Sequence, residues 1–111
     1  MPLEINSSIR GKTARLVLAG ELDGASAPSV RTKVEEILAQ KPEQLVLLVE
    51  KLSFMASAGL RIIIFAKQRL PNLKVYVIKP QDTVLETLKK TGFYDSVYVQ
   101  ETDLLDEAAA T

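Results

Sequence analysis

The chain contains no cysteine, no histidine and no tryptophan. Without cysteine and histidine, thiol catalysis, a Ser-His-Asp triad and zinc sites built from thiolates or imidazoles are all excluded. A metal site made only of carboxylates is the one type that this composition still permits. No disulfide can form, so cysteine content does not indicate whether the protein works in an oxidising or a reducing compartment. The sequence also contains no recognisable catalytic constellation, so we expect no catalytic residues, no metal and no cofactor.

Positive and negative charges balance, with 14 Lys and Arg against 14 Asp and Glu. A net charge of zero speaks against bulk electrostatic binding to nucleic acid or to an anionic membrane. Residues 1–10 lack the apolar core of a signal peptide, and apolar runs such as residues 45–49 are too short to cross a bilayer. We expect a cytoplasmic protein that contacts neither nucleic acid nor membrane directly.

Strand-like and helix-like segments alternate along the chain, whose 111 residues fit one domain over residues 1–111. A first helix begins at Ser26, the expected N-cap, and ends before Pro42. Alternation predicts βα units and an α/β fold with a mostly parallel central sheet and flanking helices. The remaining predicted elements are strands over residues 3–9, 13–19, 45–49, 74–78 and 96–99, and helices over residues 60–70, 83–90 and 102–110.

Two loops each follow a predicted strand and precede a helix. The first is the turn-rich segment Gly-Glu-Leu-Asp-Gly of residues 20–24, and the second covers residues 50–58. In open α/β sheets, ligands bind beyond the carboxyl ends of the strands, so we expect these loops to lie side by side in a binding site.

Ser57 lies among small residues at the start of the second helix. A phosphate on Ser57 would meet free N–H groups and the positive end of the helix dipole, and Lys51 or Arg61 could shield its charge. The alternative is that Ser57 only caps the helix. Asp23 has two interpretations as well: an acid beside Ser57 that meets a partner or a nucleotide-bound metal, or a turn carboxylate with local backbone bonds.

Two segments resemble a known family. Leu-Ala-Gly-Glu-Leu-Asp, residues 18–23, is similar to the G-E-L/I-D signature of bacterial anti-sigma factor antagonists of the STAS family. Leu-Ser-Phe-Met-Ala-Ser-Ala-Gly-Leu, residues 52–60, resembles their L-S-F-M-D-S-S/A-G-L signature. The resemblance covers nearly the whole chain and implies a single STAS domain, a small α/β sandwich of successive βα units.

The resemblance also implies a function. Unmodified members bind an anti-sigma factor and so free a sigma factor for transcription. The anti-sigma factor is often a serine kinase, whose phosphorylation of the motif serine breaks the complex, and a PP2C-type phosphatase reverses the mark. That serine aligns with Ser57. The residues expected to contact the partner are Asp23, Phe54, Met55, Ala56, Ala58, Gly59 and Arg61.

The chain departs from the family pattern around the phosphorylation site. Ala56 replaces the usual Asp, Ala58 stands where Ser is frequent, Lys51 replaces an acidic residue, and Arg61 replaces a small one. Loss of the acid at residue 56 removes a repulsion against phosphate. Our hypothesis is that this site is matched to a divergent kinase and holds its phosphate well.

Two other functions are to be weighed. The protein could be a scaffold that uses the STAS fold for assembly without a switch, with Ser57 only a cap. A hydrolase or metal-dependent enzyme is disfavoured, because the sequence lacks His and Cys and has no cluster of acidic residues. Ser57→Asp separates a switch, which loses its partner, from a scaffold, which does not.

Overall fold

The computed structural model describes residues 2–102 of the chain. The predicted helix over residues 102–110 lies, apart from Thr102, outside them. Three helices are described: α1 (Ala27–Leu38), α2 (Ser57–Arg69) and α3 (Asp82–Lys90). The strands are β1 (Glu4–Arg10), β2 (Thr13–Leu22), β3 (Gln44–Leu48), β4 (Leu52–Met55), β5 (Lys74–Ile78) and β6 (Tyr98–Gln100).

The sheet is mostly parallel, as predicted, with strand order β1-β2-β3-β5-β6. Only β1 runs antiparallel to its neighbour β2, while β2, β3, β5 and β6 are parallel. The three helices contribute to one core on one face of this sheet. The core joins Leu16 and Leu18 of β2 to Val30 and Val34 of α1, Leu60 and Ile63 of α2, and Val84 and Leu88 of α3.

The loop predicted over residues 50–58 is wrong in its middle, where residues 52–55 form β4. β4 pairs with the end of β2, which runs on to Leu22 through a register shift between Gly20 and Glu21. Gly20 has φ +108°, and a Cβ there would lie 2.5 Å from the carbonyl oxygen of Pro2. Only glycine fits at this bend, after which β2 exchanges β3 for β4 as its parallel neighbour.

The start of α1 and the start of the last strand each differ from the prediction, the first in its capping bond and the second in its position. Ser26 occupies the N-cap position of α1, as predicted, but makes no cap bond, because its hydroxyl donates to Oδ1 of Asp23 at 3.0 Å and accepts from the N–H of Asp23 at 3.0 Å. The last strand, β6, begins at Tyr98 rather than at residue 96, since Tyr94–Ser96 form a short 3-10 helix.

Candidate functional site

The two loops meet at the carboxyl edge of the sheet, as expected from the sequence. β2 and β4 are parallel neighbours, and Leu22 is the register partner of Met55. The N–H of Ala56 extends the pairing by donating a 2.8 Å hydrogen bond to the carbonyl oxygen of Leu22. Asp23 therefore follows directly after the end of β2, and Ser57 lies two residues after the end of β4; this shared edge is the candidate site.

Ser57 is the first residue of α2, and its side chain is exposed. The N-cap position belongs to Ala56, with φ −77° and ψ 169°, so no side chain caps this helix. Within residues 2–102 the Ser57 hydroxyl has no hydrogen-bond partner. The N–H groups of Ser57 and Ala58 likewise have no acceptor within residues 2–102, whereas that of Gly59 donates to the carbonyl oxygen of Ala56 at 2.9 Å. The interpretation of Ser57 as an N-cap is therefore wrong, and its hydroxyl is accessible to another protein.

Asp23 is held in a tight turn that leads into α1. Its Oδ1 accepts hydrogen bonds from the N–H of Ala25 at 3.1 Å and from the N–H and hydroxyl of Ser26 at 2.9 and 3.0 Å. The bond from the backbone of Ser26 is the largest of the effects that lower the pKa of Asp23 below its ordinary value. Asp23 thus makes the local backbone bonds of a turn carboxylate, and these bonds stabilise its ionised form.

Exposure divides the residues expected to contact a partner. Phe54, three residues before Ser57 in the chain, is 45% exposed and presents a large apolar ring to solvent. Arg61 is exposed, and Ala56 and Ala58 are half-buried. These four side chains and Ser57 form an accessible surface at the start of α2.

Met55 and Gly59 do not belong to that accessible surface. Met55 is 5% exposed and packs in the core, and Gly59 is buried on the inner side of the first turn of α2. Burial removes both residues from the predicted contact surface, because a docking protein would meet neither of them. They contribute to the site by packing together on the buried side of the helix start that carries Ser57.

Of the two cations expected near Ser57, only Arg61 is suitably placed. Arg61 lies one helical turn after Ser57, on the same side of α2. Lys51 precedes β4, whose four extended residues span roughly 13 Å between Lys51 and the residues that lead into α2. The expectation that Lys51 shields a phosphate assumed a compact loop, and the strand contradicts it.

The start of α3 braces β4, which the sequence gave no reason to expect. The hydroxyl of Thr83 donates a 2.7 Å hydrogen bond to the carbonyl oxygen of Ser53, and Nε2 of Gln81 donates one of 2.9 Å to that of Glu50. On the other side, the hydroxyl of Ser53 donates to the carbonyl oxygen of Gly20 at 3.0 Å. Polar residues at a helix start are common, so these long-range bonds had no sequence signal.

In the described part of the chain, no group of three or more Asp and Glu side chains is arranged to hold a metal ion. None of the helices formed by residues 2–102 is both long and apolar enough to span a membrane. The groups that the candidate site offers are the hydroxyl of Ser57, the ring of Phe54, the carboxylate of Asp23 and the guanidinium group of Arg61. This set can bind another protein and accept a covalent modification.

A family model described as the STAS domain matches residues 4–107. The fold resembles the anti-sigma factor antagonist SpoIIAA in its unphosphorylated form, with a TM-score of 0.81, 20% identity and coverage of 97% of this chain and 98% of that one. The phosphorylated form of SpoIIAA from Bacillus matches with a TM-score of 0.72 and 18% identity, over 99% of this chain and 100% of that one. An anti-sigma factor antagonist from Mycobacterium paratuberculosis matches with a TM-score of 0.80 and 20% identity, over 98% of this chain and 92% of that one. No curated protein matches the chain. The predicted fold class is confirmed.

Proposed function

The chain belongs to the STAS domain family, and on this premise we propose that it is a cytoplasmic anti-sigma factor antagonist switched by phosphorylation of Ser57. Unmodified protein binds an anti-sigma factor that is also a serine kinase, and so frees a sigma factor. The observation that carries the proposal is the exposed hydroxyl of Ser57, which caps no helix and has no hydrogen-bond partner within residues 2–102. The similar structures are named as anti-sigma factor antagonists, which supports this class of partner.

The switch works by adding charge to a partly apolar surface. In the unmodified protein the partner covers Phe54, Ala58 and the Ser57 hydroxyl. The kinase then transfers the γ-phosphoryl group of ATP: the bond from Oγ to phosphorus forms, the bond from phosphorus to the bridging oxygen of ADP breaks, and the hydroxyl proton passes to a base of the kinase. The phosphate adds about −1.5 to −2 charges at neutral pH. Burying this charge beside Phe54 is unfavourable, so the partner dissociates.

The surroundings of Ser57 favour a lasting phosphate. The first turn of α2 contains no acidic residue, and the helix start supplies the N–H groups of Ser57 and Ala58 and the positive end of the dipole. Arg61 lies one turn away with no ion pair to any other described residue. Release of the phosphate then requires a PP2C-type phosphatase, which hydrolyses the ester to serine and inorganic phosphate.

The proposal is tested with purified proteins. Each anti-sigma factor encoded by the same organism is titrated with the wild-type chain and with Ser57→Ala and Ser57→Asp variants, by calorimetry without ATP. The same mixtures are then incubated with ATP and analysed by peptide mass spectrometry. We expect one anti-sigma factor to bind the wild-type and Ser57→Ala proteins, to bind Ser57→Asp much more weakly, and to phosphorylate the wild-type protein on Ser57 alone.

Two outcomes would count against the switch. Equal affinity for the wild-type and Ser57→Asp proteins would favour the non-switching scaffold. Absence of phosphate on Ser57, both in this assay and in protein purified from its own host under several growth conditions, would do the same.

A further inference from the structure

α2 carries only positive charge, although the chain as a whole is neutral. Its 13 residues include Arg61, Lys67 and Arg69 and no aspartate or glutamate. Nζ of Lys67 donates a 2.6 Å hydrogen bond to the carbonyl oxygen of Ser96. Arg61 and Arg69 are exposed and make no ion pair with any residue between 2 and 102. Two guanidinium charges on this helix are therefore uncompensated.

These two arginines belong to a continuous surface, the arginine ridge, which consists of Arg31, Arg61, Phe65 and Arg69. Arg61, Phe65 and Arg69 are four residues apart and so follow one side of α2. The guanidinium carbon of Arg31, on α1, lies 4.3 Å from the centre of the Phe65 ring, and that of Arg69 lies 5.6 Å from it. Nε of Arg31 also pairs with Oε1 of Glu35 at 3.2 Å, so the uncompensated charges of the ridge are those of Arg61 and Arg69. Stacking on the ring limits the freedom of both guanidinium groups, which lowers the entropy lost when a partner binds them.

The arginine ridge is continuous with the proposed switch. Arg61 lies one turn beyond Ser57, and Arg69 lies twelve residues beyond it, roughly 18 Å at 1.5 Å per helical residue. A protein that covers Ser57 and extends along α2 therefore meets the ridge.

Helix stability does not account for Arg61. Lys67 and Arg69 are in the last turn of α2, where the helix dipole favours cations. Arg61 is near the opposite, positive end of the dipole, and the first turn contains no acidic residue to compensate it. A negatively charged partner would supply that compensation.

We propose that the arginine ridge is an electrostatic docking surface for an acidic face of the anti-sigma factor; this inference rests on the function proposed above. Carboxylates of the partner pair with Arg61 and Arg69, while its apolar groups cover Phe65 and Phe54. A phosphate on Ser57 draws Arg61 to itself and repels the same carboxylates. Arg61 thereby links phosphorylation to release of the partner.

The test uses the anti-sigma factor that binds in the titrations above. Its association rate and Kd are measured by surface plasmon resonance for the wild-type protein and for Arg61→Gln, Arg61→Glu and Arg61→Glu/Arg69→Glu, at low and high salt. The matched control is Arg10→Glu/Lys12→Glu, which reverses two exposed charges around the β1–β2 turn at the sheet edge. Circular dichroism melts verify that each variant is folded.

We expect Arg61→Glu to weaken binding about tenfold and the double ridge variant about a hundredfold, mainly through slower association, because charged rims steer encounter. Arg61→Gln falls between the wild-type protein and Arg61→Glu, and the control stays within about twofold of wild type. Salt weakens binding of the wild-type protein and has less effect on the double variant.

The two proposals fail in different ways. If the double ridge variant binds as tightly as the wild-type protein while Ser57→Asp still loses the partner, the proposed docking surface is wrong and the proposed switch stands. If the control weakens binding as much as the double ridge variant, binding depends only on the net charge of the protein, and the proposed docking surface is again wrong. If no anti-sigma factor binds the wild-type protein, the proposed function fails and the ridge fails with it.

Discussion

Gly59 in the first turn of α2 packs directly against Met55 at the end of β4. A Cβ atom at residue 59 would lie 2.7 Å from Cγ of Met55 and 2.8 Å from Cδ2 of Leu22, closer than side-chain carbons approach one another. The missing side chain lets the helix start rest on the ends of β2 and β4. It therefore fixes the position of Ser57, two residues earlier.

We expect Gly59→Ala to lower the free energy of unfolding. Overpacking costs about 1–3 kcal/mol, which exceeds the gain of about 1 kcal/mol from the better helix propensity of alanine. Urea denaturation measures the difference. Gly24→Ala is the matched control, because a Cβ at residue 24 meets no atom within 4 Å. A Gly59→Ala protein as stable as the wild type would contradict the close contact.

β4 illustrates which part of the site the sequence could not predict. Regular elements such as α1 have a clear apolar period, whereas in β4 Leu52 and Met55 are buried and Ser53 and Phe54 are exposed. This pattern has no alternation, and the strand exists because a distant segment, the end of β2, offers it a pairing edge. Two further errors followed from reading β4 as a loop: the placement of Lys51 beside Ser57 and of Met55 on the surface.

The Ser57 hydroxyl should contribute little to the stability of the fold, because it has no hydrogen-bond partner within residues 2–102 and α2 is not capped by it. We expect Ser57→Ala to change the free energy of unfolding by no more than about 0.5 kcal/mol, as for other exposed positions. Asp23→Ala, by contrast, removes the acceptor of three hydrogen bonds and lowers the melting temperature. A marked loss of stability in Ser57→Ala, measured by the same thermal melts, would assign Ser57 a structural role.

The stability of the protein should depend on the ionisation of Asp23 at acid pH. The pKa of Asp23 is lower in the folded protein than its ordinary value of 3.8. Its ionised form therefore stabilises the fold above that value, and this contribution is lost as the pH falls through the folded pKa. Asp23→Asn keeps an oxygen for the same N–H donors but does not titrate. In urea melts from about pH 6 to about pH 2.5, the wild-type protein should lose more stability than Asp23→Asn; parallel curves would show that Asp23 does not contribute.

Substitutions at residue 56 can separate two effects of an acidic residue at the start of α2: capping of the helix and repulsion of a phosphate. Its extended backbone suits an N-cap, so Ala56→Asp should raise the free energy of unfolding of the unmodified protein by about 0.5–2 kcal/mol. The same carboxylate repels a phosphate on Ser57, so phosphorylation should destabilise Ala56→Asp much more than it destabilises the wild-type protein.

Ala56→Ser is the control for this experiment, because it adds a cap without charge. Each variant is compared with its own phosphoserine-57 form, made by genetic incorporation of phosphoserine, in thermal melts. In the wild-type protein and in Ala56→Ser the melting temperature should change little on phosphorylation, since N–H groups and Arg61 surround the phosphate. A sharp drop in the wild-type protein would contradict the hypothesis that alanine at residue 56 adapts the site to a lasting phosphate.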